Sequence, residues 1–499
     1  MKKVFAIILM AIMLVSTLSV VAACDFGNDE LTVVFYHTMG SNLREVLDRH
    51  IAEFNKIYPN ITIEHKQEGS YDDVRNKVNQ ELMVGKGPTM AYCYADHVAL
   101  YNMGYNVIDL NTYINSEEVI PAGSEFGNKE EVHVGMTKAQ VDDFIDGYLA
   151  EGTQFADTTQ QLTLPFSKST EVLYYNKTFF DKHKDVIEVP THWWCPETGH
   201  ENCKSSMEYV CAEIKKIDPN SIPLGYDSEA NWFITMCEQL GTDYTSAVPK
   251  QIPLVEGKAT HYTFYNEENI EFLERLNTWS QNKWVTTQQI YGSYTSNLFK
   301  EVGSGTKSYM SIGSSAGATH QRPDKKAGKY PFDVNITSIP QVDANNPKVI
   351  SQGPSICILD TGSDTKLMAT WLFVKYLTTS VAFQTEFSEA SGYMPVLESC
   401  NDRSLIDTDP AIKAYIEDFL DIADGGDNIA ALSAKVAMEQ KDYYYASPAF
   451  VGSSIAREQV EILLTNILNL KGENLHDQIA NSVKKVFETC EYLQPSPQP

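Results

Sequence analysis

The sequence predicts an α/β protein that is divided into two lobes. The first observation is the length of 499 residues, because a single hydrophobic core stops growing at about 250–300 residues. The second is a regular alternation of strand-forming and helix-forming stretches after residue 30, which is typical of parallel sheets covered by helices. The third is the stretch LTLPFSKSTEVLYYNK at residues 162–177, in which two apolar strand-like runs flank a hydroxyl-rich segment.

The first elements follow in the order strand, helix, strand, helix, strand. The strands are expected at 31–37, 61–65 and 89–94. Asn42 and Glu45 resemble a capping box at the start of the first helix, and Pro59 ends that helix. This order predicts parallel pairing with right-handed crossovers, and ligands of such sheets bind outside the carboxyl ends of the strands. The polar side chains that fall there are Tyr36, His37, Tyr71, Asp96 and His97; an ordinary core-edge or loop position is the alternative for each.

The stretch 162–177 has two interpretations. It is either a sharp hairpin or one extended passage of the chain from one lobe to the other. Pro165 lacks a backbone N–H, which disfavours a single continuous central strand. If the chain passes between the lobes here, a ligand binds beside Ser169 and Thr170, between the two lobes.

The later part of the chain mixes strands and helices in the same way. Strands are expected at 222–226, 308–312, 332–339 and 355–359, and helices at 205–216, 230–240, 267–281 and 366–378, before a mostly helical remainder. The strand at 332–339 is a candidate second passage between the lobes, and Ser391–Val396 is a candidate third. The small residues 313–317 close the strand at 308–312, so backbone N–H groups near Ser314 can approach a ligand closely; an ordinary turn is the alternative.

The first residues predict export and lipidation. Lys2 and Lys3 precede an apolar stretch, and Val21-Ala22-Ala23-Cys24 has the small residues of a lipobox. We therefore expect residues 1–23 to be a lipoprotein signal peptide, Cys24 to be lipidated, and residues 24–30 to form a polar tether on the outer face of the membrane. A plain secretory signal and a retained membrane anchor are the alternatives.

The spacing H-x2-C-x4-H-x2-C joins His192, Cys195, His200 and Cys203. In an exported protein such a loop forms a Cys195–Cys203 disulfide more often than a metal site. Nitrogen and sulfur ligands at short spacing also suit zinc, so a structural zinc site is the alternative. No metal is expected at the functional site.

The net charge of −27 disfavours nucleic acid and anionic lipid head groups as partners, because both would repel the chain. An anionic small molecule is not excluded, since it meets only the charges of its own pocket. No nucleophile elbow, phosphate-loop lysine motif, HExxH motif or dinucleotide fingerprint stands out. Carboxylates are abundant, so counting them does not exclude a glycosidase pair.

Aromatic and basic side chains indicate the kind of ligand. Trp232, Tyr393 and the run Tyr443–Tyr445 lie at expected loops or element starts, where rings can stack on sugars. Arg457 falls in the first turn of a helix, an unfavourable place for a cation unless it meets an anion. A solvated arginine at that position is the alternative.

Several stretches together resemble the extracellular solute-binding proteins (family 1) of ABC transporters, in the carbohydrate and glycerol-3-phosphate-binding group. They are the lipobox, TVVFYHTMGS with FNKIYPNITIE, GSYDD, GKGPTMAYCYAD, LPFSKSTEVLYYNK, SYMSIGSSAG, SGYMPV and the late Arg-bearing helix. The resemblance implies a type II periplasmic-binding-protein-like fold with three interlobe crossings. The expected lobes are 31–165 with 343–390, and 166–342 with 391–493, followed by a disordered tail at 494–499.

The resemblance also implies a ligand site. The glycerol-3-phosphate-type pocket maps onto Tyr71, Ser169, Ser314, Gly353, Tyr393 and Arg457, with an aromatic ring near Trp232. Its acidic contact falls on Ala95, with Asp96 beside it, and this departure favours a sugar. The implied protein is a monomer without catalytic residues or cofactor, which delivers a sugar to an ABC permease and its ATPase. Glycerol 3-phosphate is the alternative ligand, and a surface glycoside hydrolase is the alternative of another class.

Overall fold

The computed structural model describes residues 31–493 apart from 105, 156–157, 196–202, 243, 246–261, 423–427 and 447–448. The predicted signal peptide, Cys24, the tether, His200 and the tail at 494–499 lie outside the described residues. Within the described residues, no helix combines the length and the apolar character needed to cross a membrane.

Strands and helices are interspersed along the chain. The strands are β1 Thr32–His37, β2 Thr62–Gln67, β3 Met90–Cys93, β4 Val119–Ile120, β5 Val132–His133, β6 Leu164–Pro165, β7 Ser169–Asn176, β8 Leu224–Tyr226, β9 Val285–Thr287, β10 Met310–Ser314, β11 Val334–Ser338, β12 Val349–Gln352, β13 Ser355–Ile358 and β14 Tyr444–Tyr445. The helices are α1 Ser41–Ile57, α2 Tyr71–Leu82, α3 Ala95–Tyr101, α4 Asn111–Ile114, α5 Lys138–Asp142, α6 Asp146–Glu151, α7 Lys177–Lys182, α8 Met207–Ile217, α9 Glu229–Leu240, α10 Glu267–Gln281, α11 Gln288–Tyr291, α12 Ser296–Phe299, α13 Asp364–Thr379, α14 Val381–Ser391, α15 Pro410–Lys413, α16 Ile429–Glu439, α17 Ser453–Asn469 and α18 Leu475–Leu493.

The first lobe is built on a sheet with the strand order β2-β1-β3-β13-β6. β1 pairs in parallel with both β2 and β3, which confirms the predicted pairing of the first three strands. Val33 and Phe35 pack into a core on one face of this sheet, and Val34 and Tyr36 pack into a core on the other. Both faces are therefore covered, as is usual for parallel strands.

The second lobe contains a sheet with the order β14-β12-β7-β10-β8-β9, in which β11 also pairs with β7. Its largest core gathers Trp193, Trp232 and Trp279 with apolar residues of α8, α9, α10 and α17. Ser206 and Ser228 are the N-cap residues of helices α8 and α9, and their hydroxyls accept hydrogen bonds from backbone N–H groups of the first turn. The six free cysteines among the described residues, Cys93 and Cys357 included, are all buried.

Three short passages join the lobes. The first runs from β6 to β7, and the second runs from β12 to β13 through Gly353 and Pro354. The third follows α14, where Met394 pairs with Lys168 through two backbone hydrogen bonds of 2.6 and 3.1 Å. The predicted passage at 162–177 therefore stands as an interlobe segment and not as a hairpin.

Two expected boundaries need correction. The strand 332–339 is not a passage, because β11 lies wholly within the second sheet beside β7. The first lobe does not resume at 343, because β12 still pairs with β7 through Ser351↔Thr170 and Gln352↔Ser169. The chain crosses only at Gly353, which has a φ of +96°. A Cβ atom there would lie 2.4 Å from the carbonyl oxygen of Ser167, so the second passage can press against the first only because the residue is glycine.

A buried ion pair lies where the passages meet. The ammonium of Lys168 contacts a carboxylate oxygen of Glu151 on α6, and the side chain of Lys168 is only 2% exposed. The other oxygen of Glu151 accepts a hydrogen bond from Ser351. Lys168 Nζ also lies 3.5 Å from the carbonyl of Gly353 and 3.4 Å from Ser355 Oγ. One lysine thus links the first passage to α6 and to both ends of the second.

The central strand β7 carries a second buried carboxyl group, that of Glu171. Its Oε2 accepts a 2.6 Å hydrogen bond from the hydroxyl of Tyr226, and Asn231, Arg457 and Asp227 are its other polar neighbours. Burial raises the pKa of Glu171 to about 8, against the partial opposition of Tyr226 and Arg457. The group is therefore largely protonated at neutral pH.

We expect Lys168→Met to lower the free energy of unfolding by about 3–5 kcal/mol, because it leaves the Glu151 carboxylate buried without its partner. Urea denaturation measures the effect. The double variant Lys168→Met/Glu151→Leu is expected to recover most of the loss, since apolar pairs often replace buried ion pairs at little cost. Lys138→Met, which breaks the exposed pair with Asp142, is the matched control, and its effect should stay below about 1 kcal/mol. A Lys168→Met effect no larger than this would contradict the assignment.

Glu171 gives an expected pH dependence. Its folded pKa of about 8 exceeds the ordinary value of 4.5, so between these values the folded protein holds a proton that the unfolded chain has released. The stability contributed by this proton is complete below about pH 4.5 and is lost as pH rises through about 8. Urea midpoints measured across this range should show a decline that Glu171→Gln removes. Glu45→Gln, at an exposed position, should keep the native slope; a native slope in Glu171→Gln would show that Glu171 is ionised.

Candidate ligand-binding cleft

A cleft with a volume of about 780 Å³ lies between the lobes. Both lobes and the third passage, through Tyr393, contribute to its walls, and Ser169 lies at the start of β7 just after the first passage. Of the predicted site residues, the structure brings four together on this cleft. They are Tyr71, Ser169, Ser314 and Tyr393.

Tyrosine rings line the cleft. Tyr71 begins α2, where Ser70 and Asp73 form a capping box that fixes the first turn. Its ring centroid lies 4.8 Å from that of Tyr94, and its hydroxyl lies 3.4 Å from the hydroxyl of Tyr393. Burial and the neighbouring phenol of Tyr393 raise the pKa of Tyr71, so these hydroxyls stay protonated and can donate. The second lobe contributes Tyr294, which is 63% exposed.

The second lobe presents polar groups to the same cleft. Ser314 Oγ lies 3.3 Å from Ser169 Oγ, so the two hydroxyls form a pair on adjacent strands. Asp227 follows β8 directly, and one of its oxygens accepts a 2.8 Å hydrogen bond from the backbone N–H of Thr295. Burial raises the pKa of Asp227. Asn231 and Gln352 complete this side with amide groups, which both donate and accept.

A smaller cavity of about 90 Å³ adjoins the cleft and shares Tyr94 with it. Asp96 and Arg457 line this cavity from opposite lobes. The guanidinium of Arg457 donates to the side-chain oxygen of Asn231, which in turn lines the cleft. Among the described residues, no carboxylate oxygen lies within ion-pair distance of the Arg457 guanidinium, although Glu171 is near enough for the arginine to lower its pKa.

The lobes also touch directly beside this cavity. Arg75 on α2 of the first lobe forms a 2.7 Å ion pair with Glu458 on α17 of the second. The side chain of Arg75 is 11% exposed and that of Glu458 is 49% exposed. Asp72 lies 3.2 Å from the other terminal nitrogen of Arg75 and orients it. This pair links α2 to α17 across the two lobes.

Two predicted site residues at the end of β1 lie in the core instead. Tyr36 is fully buried and its hydroxyl donates a 3.0 Å hydrogen bond to Glu81. His37 is also fully buried, with Nε2 2.9 Å from Nδ1 of His65. Burial, with a smaller effect of His65, lowers the pKa of His37 to about 3. The predicted end of the strand at residue 37 agrees with β1, but helices pack on both faces of this strand, and the chain first reaches the cleft at Gly40.

Two more predicted site residues are also buried and do not line the cleft. Thr170 is fully buried and donates a 2.8 Å hydrogen bond to the carbonyl of Ile350. Because side chains alternate along a strand, Ser169 faces the cleft and Thr170 does not. Trp232 is fully buried and stacks on Tyr226 with centroids 4.4 Å apart. Its neighbour Asn231 reaches the cleft, because successive residues of α9 point about 100° apart.

Gly353 serves the site through its backbone. It follows Gln352, which lines the cleft, and packs against the main chain of Ser167–Ser169.

Five residues that line the cleft were not predicted from the sequence: Tyr94, Asp227, Asn231, Tyr294 and Gln352. The sequence could have indicated Asp227 and Tyr94, because each directly follows a strand that pairs in parallel, and ligands bind at the carboxyl ends of such strands. No sequence pattern indicated Tyr294 or Gln352.

Outside the cleft, the structure joins Cys195 and Cys203 in a disulfide with Cα atoms 6.1 Å apart. His192 lies beside it, with Nε2 3.0 Å from the sulfur of Cys203.

Comparison with known proteins identifies relatives of this chain. The curated relatives include the sn-glycerol-3-phosphate-binding periplasmic protein UgpB of Yersinia pseudotuberculosis, which is 20% identical over 365 residues, 73% of this chain and 74% of the relative. UgpB of Escherichia coli is 25% identical over 163 residues, 33% of each protein.

Solved structures share the fold. UgpB from Mycobacterium tuberculosis in complex with glycerophosphocholine has a TM-score of 0.65 at 16% identity, covering 93% of this chain and 99% of that one. The GacH receptor of Streptomyces glaucescens, solved unliganded and with acarbose, has the same TM-score, identity and coverage. Maltose-bound MalE3 of T. maritima has a TM-score of 0.64 at 13% identity, covering 92% and 99%.

A family model also matches the chain. The model of bacterial extracellular solute-binding proteins matches residues 50–414, well over half of the chain. The match includes every strand of the first sheet except β1, all three passages and most of the cleft wall. The chain therefore belongs to the bacterial extracellular solute-binding protein family.

Proposed function

We propose that this protein is the binding component of an ABC importer and that it captures a sugar between its lobes. The observation that carries the proposal is the composition of the cleft. Tyrosine rings from both lobes face it, and paired hydroxyls, amides and Asp227 line its second-lobe side. Sugar rings offer an apolar face and a rim of hydroxyl groups, and this combination of flat aromatic area and mixed donors and acceptors complements both.

The size of the cleft fits this ligand class. A volume of about 780 Å³ falls in the range of small-molecule sites, about 300–1,000 Å³. Asp96, in the adjoining cavity, is placed to accept hydrogen bonds from hydroxyl groups of a sugar that extends past Tyr94. Closure of two lobes around the ligand, with the three passages as hinges, would remove it from water.

Glycerol 3-phosphate is the second candidate, and Arg457 favours it. A guanidinium without a carboxylate partner suits a phosphate oxygen, and curated relatives are named as sn-glycerol-3-phosphate-binding proteins. Against it, Arg457 shares its small cavity with Asp96. A phosphate bound to Arg457 would lie near that carboxylate, which disfavours a dianion. We therefore place glycerol 3-phosphate second.

The location and partners follow from the sequence and the family. Lipidation of Cys24, after removal of residues 1–23, would hold the monomer on the outer face of the membrane through the tether at 24–30. The partners of such a protein are a membrane permease and its ATPase, and the net charge argues against nucleic acid. Capture and release need no catalytic residue, whereas a surface glycoside hydrolase would turn its ligand over.

The first test is thermal unfolding of the mature chain with mono- and oligosaccharides and with glycerol 3-phosphate, each recovered and checked for chemical change. A ligand present at 100 times its Kd adds about 2.7 kcal/mol of stability. We expect a sugar to raise the midpoint and to be recovered intact, and Tyr393→Ala to weaken its binding up to about tenfold. Tyr443→Ala, in an exposed position, is the control.

Two outcomes would contradict the sugar proposal. A rise in the midpoint with glycerol 3-phosphate alone, lost in Arg457→Ala, would favour the second candidate, and recovery of a hydrolysed glycan would exclude both candidates.

The interlobe pair of Arg75 and Glu458 gives a test of closure. Glu458→Gln removes one contact that exists only while α2 and α17 are together, so we expect a Kd for the sugar up to about 5-fold higher, mostly through faster release. Glu386→Gln breaks the pair with Arg49 inside the first lobe and is the matched control. Stopped-flow binding kinetics separate the two rates. Equal Kd values for the two variants would show that the interlobe pair does not stabilise the bound state.

A further inference from the structure

Three metal-ligating side chains meet on the second lobe at a place that does not line the cleft. They are His192, Cys195 and Cys203, and one ligand atom from each lies within 4.8 Å of the others. All three side chains are half-buried. The two sulfurs are joined as a disulfide, yet the imidazole is aimed at one of them, with Nε2 3.0 Å from Sγ of Cys203.

Backbone pairing holds this arrangement together independently of the disulfide. The N–H of Thr191 donates to the carbonyl of Ser205 at 3.0 Å, and the N–H of Met207 donates to the carbonyl of His192 at 2.9 Å. The next residue, Trp193, is fully buried and donates a 2.9 Å hydrogen bond from Nε1 to Gln239. Opening the disulfide therefore leaves His192 beside the segment that carries Cys203.

The donor set suits zinc. One imidazole nitrogen and two thiolates are ligands that Zn²⁺ prefers, and three protein ligands with one open position form a common arrangement. With zinc bonds of about 2.0–2.1 Å to nitrogen and 2.3 Å to sulfur, tetrahedral geometry puts the two atoms about 3.6 Å apart, close to the 3.0 Å between His192 and Cys203. Thr191 Oγ1 lies 3.1 Å from Nδ1 of His192, and such a contact orients a ligating imidazole through its other nitrogen.

We propose that His192, Cys195 and Cys203 form a redox-gated Zn²⁺ site, closed as a disulfide and opened by reduction. A dithiol donor transfers two electrons and two protons to the Cys195–Cys203 bond and becomes a disulfide itself, which leaves two protein thiols. Zn²⁺ then binds both sulfurs as thiolates, and their two protons pass to solvent. The two thiolates neutralise the charge of the ion, and water takes the fourth position. The disulfide and zinc alternatives for Cys195 and Cys203 thus describe two redox states of the same pair of sulfurs.

The test measures Zn²⁺ binding to the mature chain by equilibrium dialysis, with and without a phosphine reductant, and repeats it with Co²⁺ to look for thiolate-to-cobalt charge-transfer absorption. We expect one Zn²⁺ per reduced chain, none per oxidised chain, and the absorption band only after reduction. Cys195→Ser/Cys203→Ser should lose the ion and the band. His192→Ala, which keeps the disulfide, should weaken binding at least tenfold after reduction.

Matched controls separate this site from the rest of the chain. Cys400→Ser removes a buried free thiol, and His133→Ala removes an exposed imidazole; both should bind Zn²⁺ as the native chain does. The proposal is overturned if the reduced native chain binds no more Zn²⁺ than Cys195→Ser/Cys203→Ser, if His192→Ala binds it equally well, or if the oxidised native chain binds it too. Thermal midpoints of all variants verify that each is folded.

Discussion

The buried ion pair between Lys168 and Glu151 is the interaction on which the architecture depends. Lys168 pairs through its backbone with Met394 of the third passage, and through its ammonium with Glu151, Gly353 and Ser355. An ammonium that is 2% exposed is stable only if its hydrogen bonds and its charge are satisfied together. All three passages must therefore hold one relative position, and that position places Ser169 at the cleft.

The lobes are joined by two kinds of contact: the buried junction of the three passages, and a partly exposed ion pair at their edge. The passages are short and closely packed, so the lobes have few backbone positions at which to move, as in other hinged proteins. The direct contact between Arg75 and Glu458 lies instead at the partly exposed edge of the lobes. The buried junction is therefore stronger than the partly exposed pair of Arg75 and Glu458, so a relative movement of the lobes would break the exposed pair first.

The second lobe holds a buried carboxyl group, that of Glu171, beside the charged guanidinium of Arg457. Glu171 lies close to Arg457, but burial keeps it largely protonated at neutral pH, so it provides a hydrogen-bonding group for Tyr226 without neutralising the arginine. Arg457 is held by the neutral Asn231. Arg457 therefore keeps its positive charge beside the cleft, in a protein of net charge −27. A ligand that reaches the smaller cavity meets this charge.

The sequence by itself determined the α/β class and the parallel order of the first three strands, and it pointed to four residues that line the cleft, because periodicity, proline and local turn chemistry act over a few neighbouring residues. It left the stretch 162–177 open between a hairpin and an interlobe passage. It misplaced Tyr36, His37, Thr170 and Trp232, since which face of a strand or helix turns to the ligand depends on what packs against the other face. Only the tertiary structure decided that the chain crosses back at Gly353, that Asp227 and Tyr294 complete the cleft, and that Lys168 joins the passages. These contacts join residues far apart in sequence, and their energies depend on burial and close approach, which no local pattern records.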